Sequence, residues 1–294
     1  MTARPAEVGG NAGRAAGPMI QVVVPAYNEA QRLPRTLVLL GSWLGEAHPE
    51  WAGRLEVLVV DNASTDGTAD VARMLSTPQV PVSVLHCPEP GKGAAVRAGI
   101  LATTADLVAF VDADGATSFD AFTQAVEHIR RGADVAIGSR AVSGSVTMAR
   151  HSGLRERGAA AYRWCTARLV DDVRDTQCGF KVFRGPLARQ VFADTHTAGF
   201  SFDVEVLGRA QLLGASIAEF PVTWVDVPGS TFDPARHGVQ SFAQLAGIAL
   251  MLRRAQRRAS TGVSAPASVA TVARPAQDRP ALAAPASADL ALDA

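Results

Sequence analysis

The chain has 294 residues with 28 Lys+Arg against 28 Asp+Glu, and 48% hydrophobic against 19% charged residues. This composition is globular rather than disordered, and the zero formal charge lacks the basic excess of a general nucleic-acid binder, so no nucleic-acid partner is expected. Cys87, Cys165 and Cys178 are too few and too far apart for a disulfide framework or a Cys-x-x-Cys metal site. They read as the reduced thiols of a cytoplasmic protein.

Residues 1–18 are rich in Ala, Gly and Pro without an apolar run, and read as a disordered N-terminus rather than a secretory signal. A folded domain follows over residues 19–240. Within it Ile20–Val24, Leu55–Val60, Val82–Leu85, Leu107–Val111 and Asp134–Ile137 are short apolar runs bounded by turn residues, and they read as buried strands. The stretches Glu29–Leu44, Thr68–Leu75, Ala94–Leu101 and Phe119–Arg130 carry helical periodicity. Strand–helix alternation at this spacing predicts an α/β fold, a mostly parallel sheet with helices on both faces. Ligands of such sheets bind in the loops beyond the carboxyl ends of the strands.

Those loops hold acids and amides. The first strand ends in Pro25-Ala26-Tyr27-Asn28-Glu29, the second in Asp61-Asn62-Ala63-Ser64-Thr65-Asp66-Gly67-Thr68, the fourth in Asp112-Ala113-Asp114-Gly115-Ala116-Thr117. One such loop is explained by helix capping and turn formation alone; three on one edge point to a site. In extended backbone Asp112 and Asp114 face the same side, and two adjacent carboxylates repel unless a proton or cation intervenes. A hard divalent ion, Mg2+ or Mn2+, bridging a substrate diphosphate is the natural candidate.

Lys92 and Lys181 are the only lysines of the chain. Lys92 lies in Gly91-Lys92-Gly93 at a helix entry, where backbone amides and a cation suit a phosphate; a plain helix-entry turn is the alternative. The sequence is not a P-loop, since no Ser or Thr follows Lys92. Between Ser139 and Asp175 the α/β rhythm breaks, and Arg140, Arg150, Arg155, Arg157, Arg163, Arg168 and Arg174 crowd together. Such a cluster suits a lipid phosphate and an anionic bilayer, or is a solvated helix of an Arg-rich protein. Arg140 stands apart, directly at a strand tip.

No segment reaches the roughly 20 apolar residues of a membrane span. Residues 241–258 read instead as an amphipathic basic helix on a membrane surface. Phe242, Leu245, Ile248, Ala249 and Leu252 fall on one face, followed by Arg253, Arg254, Arg257 and Arg258. The competing reading packs that face on the sheet. Residues 259–294 are an Ala/Pro-rich tail, expected to be disordered.

Val24 to Glu29, Asp61 to Thr68, Gly91-Lys92-Gly93 and Asp112 to Thr117 resemble the motifs of family 2 glycosyltransferases. Ile137-Gly138-Ser139-Arg140, Asp175-Thr176-Gln177-Cys178-Gly179-Phe180-Lys181, Phe202-Asp203-Val204-Glu205 and Val222-Thr223-Trp224 with Gly229-Ser230 resemble its dolichyl-phosphate β-glucosyltransferase branch. The resemblance spans Ile20 to Ser230. It implies a GT-A fold, UDP-glucose as donor, polyprenyl (dolichyl) phosphate as acceptor, and an inverting transfer giving a β-linked lipid-phosphate sugar. By motif position it places Pro25, Tyr27, Glu29 and Asp61 in the donor nucleoside pocket and Asp112 and Asp114 on the ribose, diphosphate and metal; Lys92, from its helix entry, joins the donor-binding set. Arg140 then faces the acceptor phosphate, Arg155 of the arginine cluster is a second acceptor-phosphate candidate, and Asp203, Arg140 and Lys181 are the catalytic candidates. Asp203 either positions the acceptor, acts as a base, or merely caps a helix.

The familiar Asp-Asp-Gly-Ser motif is Asp61-Asn62-Ala63-Ser64 here, which keeps the first acid and replaces the second. Eukaryotic members of the branch carry an N-terminal membrane anchor. No comparable segment stands in this sequence, so peripheral contact with the inner face of the membrane is expected. Three other readings stay open on sequence alone: a GDP-mannose-dependent polyprenyl-phosphate mannosyltransferase, a glycosyltransferase with a non-lipid acceptor, and a non-catalytic nucleotide-sugar-binding protein.

Overall fold

The structure, a computed structural model, describes residues 19–148, 153–227 and 234–260. The expected disordered segment 1–18, nearly all of the tail, Arg150 and Gly229-Ser230 lie outside the described residues, as do the side chains of Arg155, Arg157 and Arg258. In chain order the first half runs β1 (Ile20–Ala26), α1 (Leu33–Ala47), β2 (Leu55–Asp61), α2 (Thr68–Met74), β3 (Val82–His86), α3 (Lys92–Ala102), β4 (Leu107–Val111), α4 (Ala121–Arg130) and β5 (Val135–Ser139). The second half adds β6 (Val146–Met148), α5 (Gly153–Thr166), β7 (Phe180–Arg184), α6 (Gly185–Ala193), α7 (Phe202–Leu212), β8 (Ile217–Pro221), β9 (Thr223–Val225) and α8 (Pro234–Ser260).

Seven strands form one sheet in the order β3-β2-β1-β4-β7-β5-β8, and β6 and β9 form a separate ribbon. Every pairing in the large sheet is parallel except those of β7, which runs antiparallel between β4 and β5. Alternation along the strands feeds two cores. Val22, Val24, Val57 and Val59 pack under α1, α2 and α4, while Val23, Val60 and Phe110 pack under α3, α6 and α7. Burial on both faces is why these strands read as unbroken apolar runs.

The first helix begins at Leu33, not at Glu29 as its periodicity predicts. Asn28 has a left-handed φ of 56°. The N–H groups of Asn28, Glu29 and Ala30 donate to Ser64 Oγ, Thr68 Oγ1 and Asp66 Oδ2 at 3.0, 2.9 and 3.1 Å. These amides are committed to the neighbouring loop, so helical hydrogen bonding starts only beyond them.

The reading of residues 241–258 as a separate lipid-facing helix is corrected. The helix is longer, and Leu245, Ile248 and Leu252 are buried in the second core. It packs on α7 and α5, and a Cβ on Gly208 of α7 would stand 2.6 Å from Leu252 Cδ1, so the helices meet through a missing side chain. Helical periodicity identified an apolar stripe, but the stripe is covered by protein. Truncation after Gln240 is therefore expected to lower the thermal unfolding midpoint and expose hydrophobic surface to a dye such as ANS; a truncated chain that unfolds like the full one would contradict this packing.

Candidate active site

Strand order reverses at β1 and β4, because the chain moves outward from β1 to β3 and then returns to β4 on the other side. The carboxyl ends of β1, β2 and β4 meet at this switch point, and their loops are laced together. Thr65 N–H donates to Asn28 Oδ1 at 2.8 Å, Ser64 N–H to Asp61 Oδ1 at 3.2 Å, and the His86 ring lies 3.3 Å from Asp61 Oδ2. Asn62 is a structural clamp. Its Nδ2 donates to Cys87 O at 3.1 Å and Glu89 O at 2.6 Å, and its Oδ1 accepts from Gly91 N–H at 2.9 Å. A carboxylate at this position could not donate to the two carbonyls. The departure from the usual acid therefore serves the loop that carries Lys92.

Asp112 and Asp114 follow β4. Asp112 N–H donates to Gly179 O at 3.0 Å, and its Oδ1 lies 2.6 Å from Lys92 Nζ. Oδ1 is shut off from water and faces that ammonium. Gly179 makes room for the acid: a Cβ there would stand 2.0 Å from Asp112 Oδ2. Burial and the adjacent Asp112 charge raise the Asp114 pKa. Burial also raises that of Glu29, offset in part by its ion pair with Arg32. Burial disfavours the Lys92 charge, but Asp112, Asp203 and Asp114 outweigh it and hold its pKa above the ordinary lysine value.

Behind these lies a second carboxylate–ammonium pair. Lys181 on β7 is fully buried, donating to Asp203 Oδ1 at 2.5 Å and to Cys178 O at 2.8 Å beside the Phe110 ring. Asp203, in the first turn of α7, is 3% exposed; burial raises its pKa, and Lys181 and Lys92 only partly oppose that. Lys181, a catalytic candidate on sequence, has its ammonium committed to Asp203 and to Cys178 O. It holds the Asp203 carboxylate in place. Breaking such a pair leaves one buried charge uncompensated, typically a loss of about 3–5 kcal/mol.

Arg140 follows β5. Its Nε and Nη2 donate to Asp175 Oδ2 and Oδ1 at 2.7 and 2.9 Å, and its N–H donates to Oδ2 at 3.0 Å. Its guanidinium lies 5.5 Å from the Trp224 ring centroid and its side chain is 31% exposed. Asp175 N–H in turn donates to Glu219 Oε1 at 2.8 Å. Burial works against the Asp175 charge, but Arg140 overcomes it and lowers the Asp175 pKa. Cys178 is no nucleophile, since burial pushes its thiol up to about 11.

The structure thus gathers Lys92, Asp112, Asp114, Asp203 and Lys181 into one charge network at the strand tips, with Asp61 and Glu29 in the adjoining loops. Pro25 lies in β1 and Tyr27 stands half exposed just after it. Arg155 lies in α5, with its side chain outside the described residues. Sequence reasoning missed Arg32, Asp175 as the partner of Arg140, and Gln177. Arg32 carried a signal, a cation one helical turn beyond Glu29; Gln177 carried none. Among the described residues no group of three or more His, Cys, Asp or Glu side chains converges as a metal cage. A cation here would take two carboxylates from the protein and its remaining ligands from substrate.

The model of the Glycosyl transferase family 2 matches residues 21–192. Curated relatives include dolichyl-phosphate beta-glucosyltransferases of Drosophila melanogaster, 38% identical over 73% of this chain and 69% of the relative, and of Dictyostelium discoideum, 35% identical over 75% and 71%. That of Homo sapiens is 35% identical over 73% and 70%. Among solved structures, glucosyl-3-phosphoglycerate synthase from Mycobacterium tuberculosis, in complex with Mn2+, UDP-glucose and phosphoglyceric acid, covers 80% of both chains with a TM-score of 0.58 at 19% identity. The chain belongs to glycosyl transferase family 2, and its fold is GT-A.

The raised Asp114 pKa has a consequence for stability. An acid whose folded pKa exceeds its unfolded value near ~4 destabilises the folded state above the folded pKa, and the effect vanishes below the unfolded one. Without added metal, Asp114→Asn, which keeps the Oδ1 acceptor for Ala116 N–H, should have a higher unfolding midpoint than wild type at pH 7–8, with the gain shrinking as pH falls to about 4. A gain that grew toward acid would reverse the assignment.

Proposed function

We propose that this protein is an inverting glucosyltransferase that moves glucose from UDP-glucose to the phosphate of a polyprenyl (dolichyl) phosphate. The observation that carries the reading is the division of charge along one sheet edge: two acids with Lys92 beyond β4, and Arg140 locked by Asp175 beyond β5. Pro25, Tyr27, Glu29 and Asp61 would line the nucleoside end of the donor pocket. Asp112 and Asp114 would hold Mg2+ or Mn2+, and a buried Asp112 Oδ1 that already faces a cation, the Lys92 ammonium, fits that role. The cation, when bound, supplies Lewis-acid stabilisation of the departing diphosphate.

The chain's own groups do the rest. Lys92, kept charged by its acidic neighbours, stabilises negative charge on the leaving group. Arg140 presents the exposed part of its guanidinium to the acceptor phosphate, with Asp175 and Trp224 fixing its plane. A phosphate monoester with a second pKa near ~6 is largely dianionic at neutral pH. It attacks without a general base, which agrees with Asp203 being sealed behind Lys181. One displacement at the anomeric carbon inverts its configuration.

With the C-terminal stripe spent on the core, the outer face of α8 becomes the membrane candidate. Phe242, Ala243, Ala246, Gly247 and Leu250 are exposed without a charge among them, and Arg253 and Arg254 are exposed just beyond. Tyr162 of α5 meets Phe242 edge-on, and Trp164 is 64% exposed under Arg168. No helix among the described residues is long and apolar enough to cross a membrane. This aromatic and basic face fits an anionic bilayer on the inner side of a membrane, met peripherally.

Two tests follow. In a transfer assay with UDP-glucose and polyprenyl phosphate, Arg140→Ala should raise the lipid-phosphate KM roughly tenfold to a hundredfold and leave the donor KM unchanged; an equal loss for the donor would move Arg140 to the diphosphate, and transfer from GDP-mannose in preference to UDP-glucose would overturn the donor. The double substitution Trp164→Ala/Leu250→Glu should abolish co-sedimentation with anionic vesicles at an unchanged unfolding midpoint. Unaltered vesicle binding would contradict the assignment of this face.

A further inference from the structure

A buried polar atom without a partner is uncommon in a folded protein and calls for an explanation, of which a ligand is one. Among the described residues the hydrogen-bond-free buried side-chain atoms include Arg32 Nη1, Asp112 Oδ1 and Gln177 Nε2. The first two belong to groups already paired with an opposite charge, Glu29 and Lys92. Trp43 Nε1, Gln177 Nε2 and Gln244 Oε1 have no such compensation, and of these three only Gln177 stands in the chain segment beside Asp175 and Gly179, the partners of Arg140 and Asp112. Gln177 Nε2 is a neutral amide donor, shut off from water and unmet, at a cost of about 1–3 kcal/mol.

Its place in the chain says what could meet it. Gln177 N–H donates to Asp175 Oδ1 at 3.3 Å, and the same carboxylate holds Arg140. Two residues further on, Gly179 O accepts from Asp112 N–H, and the bare Gly179 Cα makes room for the Asp112 carboxylate. Gln177 therefore stands on the short segment that links the acceptor-phosphate arginine to the acid at the diphosphate. In a displacement at an anomeric carbon, the transferred sugar lies between the attacking oxygen and the leaving oxygen. A hexose presents hydroxyl oxygens there that accept hydrogen bonds, and a site built to bond a hydroxyl discriminates strongly against sugars that fail to place one.

We propose that Gln177 is a specificity-determining residue whose amide Nε2 donates a hydrogen bond to a hydroxyl of the transferred hexose. The inference rests on the glycosyltransferase reading above and adds to it the residue that reads the sugar rather than the nucleotide or the phosphate. It also explains why the donor is left unmet in the protein alone: its partner arrives with the substrate.

The test uses the full chain and Gln177→Met, which keeps the length of the side chain and removes the donor. Calorimetric titration with UDP and with UDP-glucose, each with Mn2+, separates nucleotide from sugar. The expected result is unchanged UDP affinity and a fall in UDP-glucose affinity on the order of tenfold, with an unfolding midpoint equal to or above that of wild type. Full retention of UDP-glucose affinity would overturn the proposal, and a parallel loss for UDP would place Gln177 on the nucleotide instead. A midpoint lowered by several degrees would also overturn it, since the amide would then have had a partner in the free protein. Wild-type protein that bound neither nucleotide would sink the donor assignment itself, and this proposal with it.

Discussion

Two carboxylates held side by side at the end of a buried strand repel each other, and much of the molecule's chemistry is arranged around that fact. Asp112 and Asp114 extend β4, whose neighbours β1 and β7 are both fixed by the central sheet. Neither acid can swing away freely. Gly179 closes on Asp112 from one side and Lys92 approaches from the other, while Ala116 N–H donates to Asp114. The only two lysines of the chain both serve this region, Lys92 directly and Lys181 through Asp203. Alternation of sign from Asp112 to Lys92 to Asp203 to Lys181 lets the fold carry acids that its interior would otherwise reject.

The same strand tips give the site two functional sides. On one, the loops after β1 and β2 are stitched by side chains that donate and accept across the gap, and Asn62 anchors the loop that delivers Lys92. On the other, Glu219 of β8 fixes Asp175, and Asp175 fixes Arg140. The β6–β9 ribbon lays Trp224 against that arginine and is tied to the acid loop, where Val225 N–H donates to Ala116 O. The acid–lysine cluster and Arg140 are therefore positioned by different parts of the sheet and meet only at its edge.

The first half of this architecture was legible because its strands are buried on both faces, and such strands cannot hide in sequence: Val22-Val23-Val24 and Val57 to Val60 are apolar throughout. The second half was less so. Phe180–Arg184 carries Lys181 as its second residue and Arg184 as its last, which no apolar pattern marks as a central strand, and its antiparallel insertion between β4 and β5 follows from tertiary pairing alone. At the C-terminus, periodicity found Leu245, Ile248 and Leu252 on one face but could not say whether lipid or α7 covers it. The acids, Lys92 and Arg140 stood out because charge at the end of an apolar strand is visible in sequence. Gln177 did not, because an unmet donor is a property of three-dimensional surroundings and not of residue type.

The central claim is that the acid pair after β4 is a cation site completed by a nucleoside diphosphate. Mn2+ titration followed by electron paramagnetic resonance tests it directly, with and without UDP. Weak binding of Mn2+ alone, tightened at least tenfold by saturating UDP and lost in Asp112→Asn and Asp114→Asn, is the result expected for two protein carboxylates and substrate oxygens sharing one ion. Mn2+ binding that ignored UDP, or that survived both substitutions, would contradict it.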